Sequence, residues 1–254
     1  MLSVKNLHLH FGGIKAVDGV SLSIEPGTIT GLIGPNGAGK TSLFNVIAGA
    51  CAPTSGQVFL DDEEVTGLLP HKLFSRGLLR TFQIAHEFPT LSVLENLMVV
   101  PGNQPGERLL NVWFNPGRIQ SVDDRIRERA RKVIEFLQIP HLEQELAGNL
   151  SGGQKKLLEL GRTMMADAKI VFLDEVGAGV NRTLLKTIGD SIKRLNREHG
   201  YTFCMIEHDI DFITRMCHPV IVMAEGRILT QGSAEEVKAN REVIESYLGK
   251  AVIN

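Results

Sequence analysis

The chain has 254 residues, with 27 basic against 29 acidic side chains for a formal net charge of −2, and 43% hydrophobic against 22% charged residues. That balance fits a globular protein large enough for a real core, and the near-neutral charge argues against bulk electrostatic binding to nucleic acid. No apolar run approaches the ~20 residues of a membrane helix. The start, Met1 to Lys5, lacks the charged head and long apolar centre of a signal peptide.

Leu2 and Val4, then Leu7, Leu9 and Phe11, follow a strand alternation that breaks near Lys5-Asn6. His8 and His10 share one face of that strand and read as a solvated surface rather than a metal site. Phe11 can be core or can stack on a base, and spacing alone favours core. Gly12-Gly13 makes a turn, Val20, Leu22 and Ile24 alternate again, and Pro26-Gly27 closes a second turn. The opening is therefore antiparallel β.

Thr28 to Ile33 reads as a buried strand leading into Gly34-Pro35-Asn36-Gly37-Ala38-Gly39-Lys40-Thr41, which fits the phosphate-loop pattern. Triphosphate oxygens must approach main-chain N–H groups, and only residues without bulky side chains allow that. The loop opens a helix, Ser42 to Ile47, whose N-terminus carries partial positive charge and open N–H donors. Lys40 can reach the β- and γ-phosphates, and the Thr41 hydroxyl can ligate Mg²⁺.

A short strand, Gln57 to Leu60, precedes the acidic turn Asp61 to Glu64; residues 70–79 look helical, and Arg80-Thr81-Phe82-Gln83 reads as extended. Ser92 and Glu95 have the capping-box spacing, so a helix is expected through Leu97. Residues 101–117 are rich in Pro and Gly around Leu109, Leu110, Val112, Trp113 and Phe114. This apolar patch can dock on a partner or pin the loop to its own domain. Ile126, Ala130, Val133, Ile134 and Leu137 recur at helical spacing, and the arginines among them read as a solvated face. Residues 84–150 thus look like a helical subdomain inserted into an α/β core.

Leu150-Ser151-Gly152-Gly153-Gln154 opens the next helix. Ile170 to Leu173 is a continuous apolar run, the mark of a buried parallel strand, and it ends in Asp174-Glu175. A helix through about Asn196 follows, then a second buried strand, Tyr201 to Ile206, ending in Glu207-His208-Asp209. Val220 to Met223 and Arg227 to Thr230 are strands around a Glu225-Gly226 turn; Ser233 and Glu236 repeat the capping-box spacing before two short helices. Cys51, Cys204 and Cys217 have no metal-type or redox-type spacing. They read as reduced thiols of a cytoplasmic chain, with Cys204 and Cys217 in the core. A phosphate loop needs a second metal anchor at the C-terminal end of a neighbouring buried strand, and Asp174 fits. Glu175 would place its carboxylate near the γ-phosphate, to orient or deprotonate water.

Phosphate loop, Gln83, the Leu150 to Gln154 motif, Asp174-Glu175 and His208, in that order, resemble the nucleotide-binding subunit of an ABC transporter; other phosphate-loop ATPases lack the Leu-Ser-Gly-Gly-Gln motif. The resemblance covers essentially the whole chain and implies the P-loop NTPase α/β fold with an N-terminal antiparallel β subdomain and an inserted α-helical subdomain. It divides the single domain 1–254 into a core of 1–83 and 151–254, a helical subdomain of 84–150, and C-terminal helices at about 233–249. It implies that Gly34 to Ser42 bind ATP and that Phe11 stacks on adenine, reversing the reading from spacing. It implies further that Thr41, Gln83 and Asp174 serve Mg²⁺, Glu175 is the general base, and His208 meets the γ-phosphate. Gln83 would also touch the membrane partner. Ser151, Gly152, Gly153 and Gln154 would bind ATP held by a second ATPase subunit, identical or related. The expected partners are that subunit, two transmembrane permeases and, indirectly, an extracytoplasmic binding protein, with the chain peripheral on the cytoplasmic face of the cell membrane.

Two departures stand out. The family usually has Pro after the catalytic Glu, where this chain has Val176, and its following loop usually ends Leu-Asp, where this chain has Val180-Asn181. The loss of Pro puts the stiffness of that loop in doubt. Phe11-Gly12-Gly13, Arg80 to Gln83, Ala178 to Asn181, Ile206 to Asp209 and Tyr247-Leu248-Gly249 resemble the larger ATPase subunit of branched-chain amino acid importers. Relatives that import urea, amides or aromatic acids, lipid or lipopolysaccharide exporter motors, and soluble ABC proteins are the alternatives. The last usually carry two cassettes or a coiled-coil insert, which this chain lacks.

Overall fold

A computed structural model describes residues 1–81, 87–102, 104, 106, 113 and 116–248. In chain order, β1 (Leu2–Phe11), β2 (Ile14–Ile24) and β3 (Ile29–Ile33) lead to α1 (Lys40–Ile47). Next come β4 (Ser55–Leu60), β5 (Glu63–Glu64), α2 (Pro70–Phe74), β6 (Leu78–Arg80), α3 (Val93–Met98), α4 (Pro116–Phe136) and α5 (Gly152–Met165). Then follow β7 (Ile170–Asp174), α6 (Arg182–His199), β8 (Thr202–Ile206), α7 (Ile210–Met216), β9 (Val220–Ala224), β10 (Arg227–Gly232), α8 (Ala234–Ala239) and α9 (Arg241–Leu248). Among the described residues no helix is long and apolar enough to cross a membrane.

Contacts divide the chain into two units. The first comprises Met1–Gln83, Ala168–Ala178 and Ile192–Asn254. It holds a four-stranded antiparallel sheet, order β2-β1-β4-β5, and a six-stranded sheet, order β10-β9-β3-β8-β7-β6. The break in alternation at Lys5-Asn6 is a register shift in the β1–β2 ladder, where Asn6 takes φ 44°. An asparagine tolerates that conformation, and the bulge brings Leu7 and Leu9 back to the buried face after Val4. In the larger sheet β9, β3, β8, β7 and β6 run parallel and β10 closes one edge antiparallel. β3, β7 and β8 are buried at every position, in line with their reading as buried strands; in β7 this gives the continuous apolar run Ile170 to Leu173. Helix α1 buries Leu43, Phe44, Val46 and Ile47 in one cluster with side chains of both sheets. Phe44 meets Phe172 of β7 edge-on, with ring centroids 4.7 Å apart, a favoured aromatic geometry.

The sequence pattern suggested helix across 70–79, but α2 stops at Phe74 and β6 pairs in parallel with β7. The turn Ser75-Arg76-Gly77 ends the helix, with Gly77 N–H donating to Phe74 O. Cys204 and Cys217 are buried, Cys51 partly so, and all three are free thiols. Burial pushes Cys217 up to about 12 and Cys204 further, in line with the core reading.

The second unit comprises Ile84–Asp167 and Gly179–Ser191. Ser92 and Glu95 form the expected capping box of α3. Ala130, Val133, Ile134 and Leu137 are buried, while Arg131 pairs with Glu143 and Lys132 with Glu128 at the surface. The unit extends beyond residue 150, where the sequence pattern ended it, because α5 packs on α3 and α4: a Cβ on Gly161 would meet Leu137, Leu97 and Val133 within 3.1 Å. Trp113 is exposed; Leu109, Leu110, Val112 and Phe114 lie outside the described residues.

Asn96 is fully buried and holds the entry to α3. Its Nδ2 donates to Phe88 O, Leu91 O and Ser92 O at 3.0–3.1 Å, and its Oδ1 accepts from Phe88 N–H at 2.9 Å. Truncation leaves the Phe88 N–H without its acceptor, while Phe88 O, Leu91 O and Ser92 O keep backbone donors from Leu91, Ala147 and Asn96. Asn96→Ala is expected to lower stability by roughly 1–3 kcal/mol in denaturant unfolding; a change below about 0.5 kcal/mol, the range of ordinary surface substitutions, would contradict this role.

Candidate active site

The phosphate loop leaves β3 with its backbone wedged against two other segments. A Cβ on Gly34 (φ 152°) would lie 2.1 Å from Met223 O, and one on Gly39 (φ 97°) 2.2 Å from Ala16 O. Both positions therefore require glycine for packing as well as for phosphate approach. The loop is pinned further by Gly226 N–H donating to Ala38 O at 3.0 Å, while Asp18 N–H donates to Gly226 O at 2.8 Å. Arg227 clamps the same turn to Asp18 through Oδ2 at 2.6 Å. Lys40 is buried, and its ammonium donates to Gly34 O at 2.7 Å and Pro35 O at 3.1 Å. Asn36, Gly37 and Thr41 are exposed. The loop thus presents exposed backbone and a hydroxyl next to an ammonium, an anion cradle at a helix N-terminus.

Asp174 ends β7, which is not adjacent to β3 as the sequence reading had it: β8 lies between. Leu32 is in register with Ile206, and Ile206 with Asp174, so the three strand ends stand level. Inserting one strand sets β7 about 10 Å from β3, room for a phosphate chain above β8. Asp174 is buried and accepts from Arg80 Nη2 at 2.8 Å. Arg80 Nη1 donates to Asn45 Oδ1 on α1. One guanidinium therefore ties the strand-end carboxylate to the helix that follows the phosphate loop. Arg80 has no site motif of its own; its one signal in the sequence is an arginine ending a short apolar stretch, Leu78-Leu79, just before Gln83.

Glu175 follows with φ 51°, an uncommon conformation for a side chain of this size. Its N–H donates to Ile206 O at 3.0 Å, and its Oε1 lies 2.9 Å from His208 Nε2. Carboxylate and imidazole thus meet at the ends of adjacent strands, as a water-activating pair requires. Glu207, between Ile206 and His208, points inward and accepts from Gly177 N–H at 2.7 Å, holding the loop after Glu175. Burial pushes its carboxyl above the usual range; the backbone N–H groups of Gly177 and His208 oppose this, and Glu175 adds to it. Val176, where proline was expected, is buried, so packing and the Glu207 bond fix this loop. Asn181 Oδ1 accepts from Leu184 N–H at 2.9 Å, the N-cap bond an aspartate would make.

Phe11 is 57% exposed, which removes the core reading. Ser151 caps α5: its hydroxyl accepts from Gln154 N–H, and the Gln154 side chain accepts from Ser151 N–H. Gly153 has no room for a side chain, since a Cβ would lie 1.9 Å from Leu184, whereas a Cβ on Gly152 meets nothing within 4 Å. Ser151 and Gly152 are exposed at this helix N-terminus. Gly34 to Ser42, Asp174, Glu175 and His208 belong to the first unit, and Ser151 to Gln154 to the second. Gln83 lies outside the described residues.

Fold and site define an ATP-binding cassette, and the chain belongs to that family: the family described as "ABC transporter" matches residues 17–178. A second, described as "Branched-chain amino acid ATP-binding cassette transporter", matches residues 227–253. The chain is 38% identical over 249 residues to a probable branched-chain amino acid transport ATP-binding protein, LivG, of Archaeoglobus fulgidus, covering 98% of this chain and 95% of the relative. It is 35% identical to the high-affinity branched-chain amino acid transport ATP-binding protein BraF of Pseudomonas aeruginosa, over 99% of this chain and 98% of that one. Among solved structures it is similar to an ATP-binding cassette of an ABC transporter in its ADP conformation, with a TM-score of 0.84 at 37% identity over 98% of both chains.

Removing the guanidinium strands a buried carboxylate. Arg80→Ala is expected to cost about 3–5 kcal/mol of stability. In a cycle with Asp174→Ala the two changes should couple by more than about 1 kcal/mol; additive losses would dissolve the proposed tie. For Glu207, whose folded pKa is raised, the carboxyl's stabilising contribution is present below its unfolded pKa of about 4.3 and is lost as pH rises through the folded value. Glu207→Gln keeps an acceptor for Gly177 and cannot ionise. Its stability relative to wild type should therefore improve from acidic to neutral pH, and parallel pH profiles would show that Glu207 is not destabilised by ionisation.

Proposed function

We propose that this chain is the ATP-hydrolysing motor subunit of an importer for branched-chain amino acids. The Glu175–His208 contact, level with the phosphate loop, carries the hydrolytic part of this reading; the match at residues 227–253 and the near-full-length relatives support the transport part.

Gly34 to Ser42 cradle the ATP phosphates, Lys40 leaves its loop carbonyls to meet the β- and γ-oxygens, and exposed Phe11 stacks on adenine. The Thr41 hydroxyl and the Asp174 carboxylate form a hard-oxygen donor pair that suits Mg²⁺, and Gln83 joins them. When bound there, Mg²⁺ would be held by these side chains and would supply neutralisation of the charge that builds on the phosphates. Glu175 orients a water and takes its proton, while His208 holds Glu175 and meets the γ-phosphate. Each site is completed by Ser151, the Gly152 and Gly153 N–H groups and Gln154 of a second cassette, identical or related. ATP then joins the pair and hydrolysis releases it. The other partners are two permeases, with an extracytoplasmic binding protein acting through them, and the chain works on the cytoplasmic face of the membrane.

Glu175→Gln should lower hydrolysis by about 10²–10⁴-fold while ATP still binds by equilibrium titration; normal turnover would remove Glu175 from the chemistry. Lys40→Ala should lose ATP affinity, and undiminished binding would contradict the phosphate-loop assignment. With permeases and binding protein in vesicles, ATP turnover should rise with leucine, isoleucine or valine, and stimulation by urea or an aromatic acid alone would redirect the substrate.

A further inference from the structure

The antiparallel sheet carries a polar cluster that the ATP site does not use. His8 and His10 stand two residues apart on β1 and so share a face. Asp18 of β2 lies directly opposite His8 in the ladder. His8 Nδ1 is 3.2 Å, and His10 Nε2 3.8 Å, from the same oxygen, Asp18 Oδ1. The three ligand atoms lie within 4.8 Å of one another. Ligands at about 2.0–2.2 Å in a tetrahedron stand roughly 3.3–3.6 Å apart, so relative shifts of at most about 1.5 Å convert this array into three corners of one.

The sequence pattern had suggested a solvated strand surface. Two features speak against it. His10 Nε2 is buried with no hydrogen-bond partner among the described residues, a costly state for a ring nitrogen, and it faces the cluster. The other ligand atoms are oriented from behind. His8 Nε2 lies 3.3 Å from Asn6 Oδ1 in the bulge; an N–H donated there leaves Nδ1 with its lone pair toward Asp18. Asp18 Oδ2 is occupied by Arg227 at 2.6 Å and Lys15 at 3.5 Å, which turns Oδ1 toward the two imidazoles.

We propose that His8, His10 and Asp18 bind one divalent first-row transition cation of the zinc class, with water as the fourth ligand. Two imidazoles and one carboxylate suit such ions. Lys15 and Arg227 oppose the cation's charge and limit its affinity; Lys15 is largely exposed and can be removed without opening the core. Occupancy would cross-link the β1–β2 hairpin beside Phe11, on the strand whose Asp18 N–H reaches the Gly226 turn under the phosphate loop.

The test is titration of the nucleotide-free full chain with Co²⁺, read by visible absorption and by displacement with Zn²⁺. One equivalent should bind with a four-coordinate spectrum. His8→Ala and His10→Ala should each weaken binding by about 100-fold or more, beyond what outer partners of a metal site contribute, and Lys15→Ala should tighten it. Where an alanine variant fails to fold, His8→Gln or His10→Gln serves instead. Absence of saturable binding, or binding unchanged in both histidine variants, overturns the proposal, as does weaker binding in Lys15→Ala.

Discussion

A carboxylate at the buried end of a parallel strand is costly unless a cation shares its surroundings. Asp174 meets that condition through Arg80, whose fork also reaches Asn45 on α1. The guanidinium is planar and always charged, so it can hold two oxygens on different elements in fixed relation, which a lysine cannot. The position of the helix after the phosphate loop and that of the strand-end acid are thereby set together. Phe44 against Phe172 fixes the same two elements on the apolar side. Polar tie and aromatic contact place the phosphate loop and the acidic pair as one body.

Because β8 separates β3 from β7, the loop and the acids flank the end of β8, and His208 leaves that end between them. Glu207 faces inward to hold Gly177 while its neighbour His208 faces Glu175. Alternation along an extended segment sends successive side chains to opposite sides. One residue therefore supports the loop and the next serves the reaction. The helix cap at Ser151 lies in the other unit, with Gly152 exposed; in the proposed mechanism this motif closes the nucleotide site of a second cassette.

Much of this was legible in the sequence because it rests on local physics. β7 is an unbroken apolar run up to Asp174, the caps at Ser92 and Ser233 follow the spacing of their glutamates, and the phosphate loop is a contiguous pattern. What could not be read depends on pairing across distance. Arg80 gains its meaning from Asp174 and Asn45, far away in sequence. The helical unit extends to Asp167 because Gly161 lets α5 lie against Leu97 and Leu137, a packing fact that no single segment displays. Phe11 obeys the strand alternation yet ends exposed, since β1 stops there. The meeting of His8, His10 and Asp18 needed the ladder register, which the bulge at Asn6 shifts.

In the proposed mechanism the single chain binds ATP by itself and hydrolyses it only when a second cassette supplies the Ser151 to Gln154 cap. Gly152→Asp tests this directly, because Gly152 has open space around it and a carboxylate there would repel phosphate. Mg-ATP affinity of the dilute single chain should stay within about twofold of wild type, while turnover under conditions that assemble the complex should collapse. Weakened binding in the single chain, or undiminished turnover in the assembly, would contradict the claim.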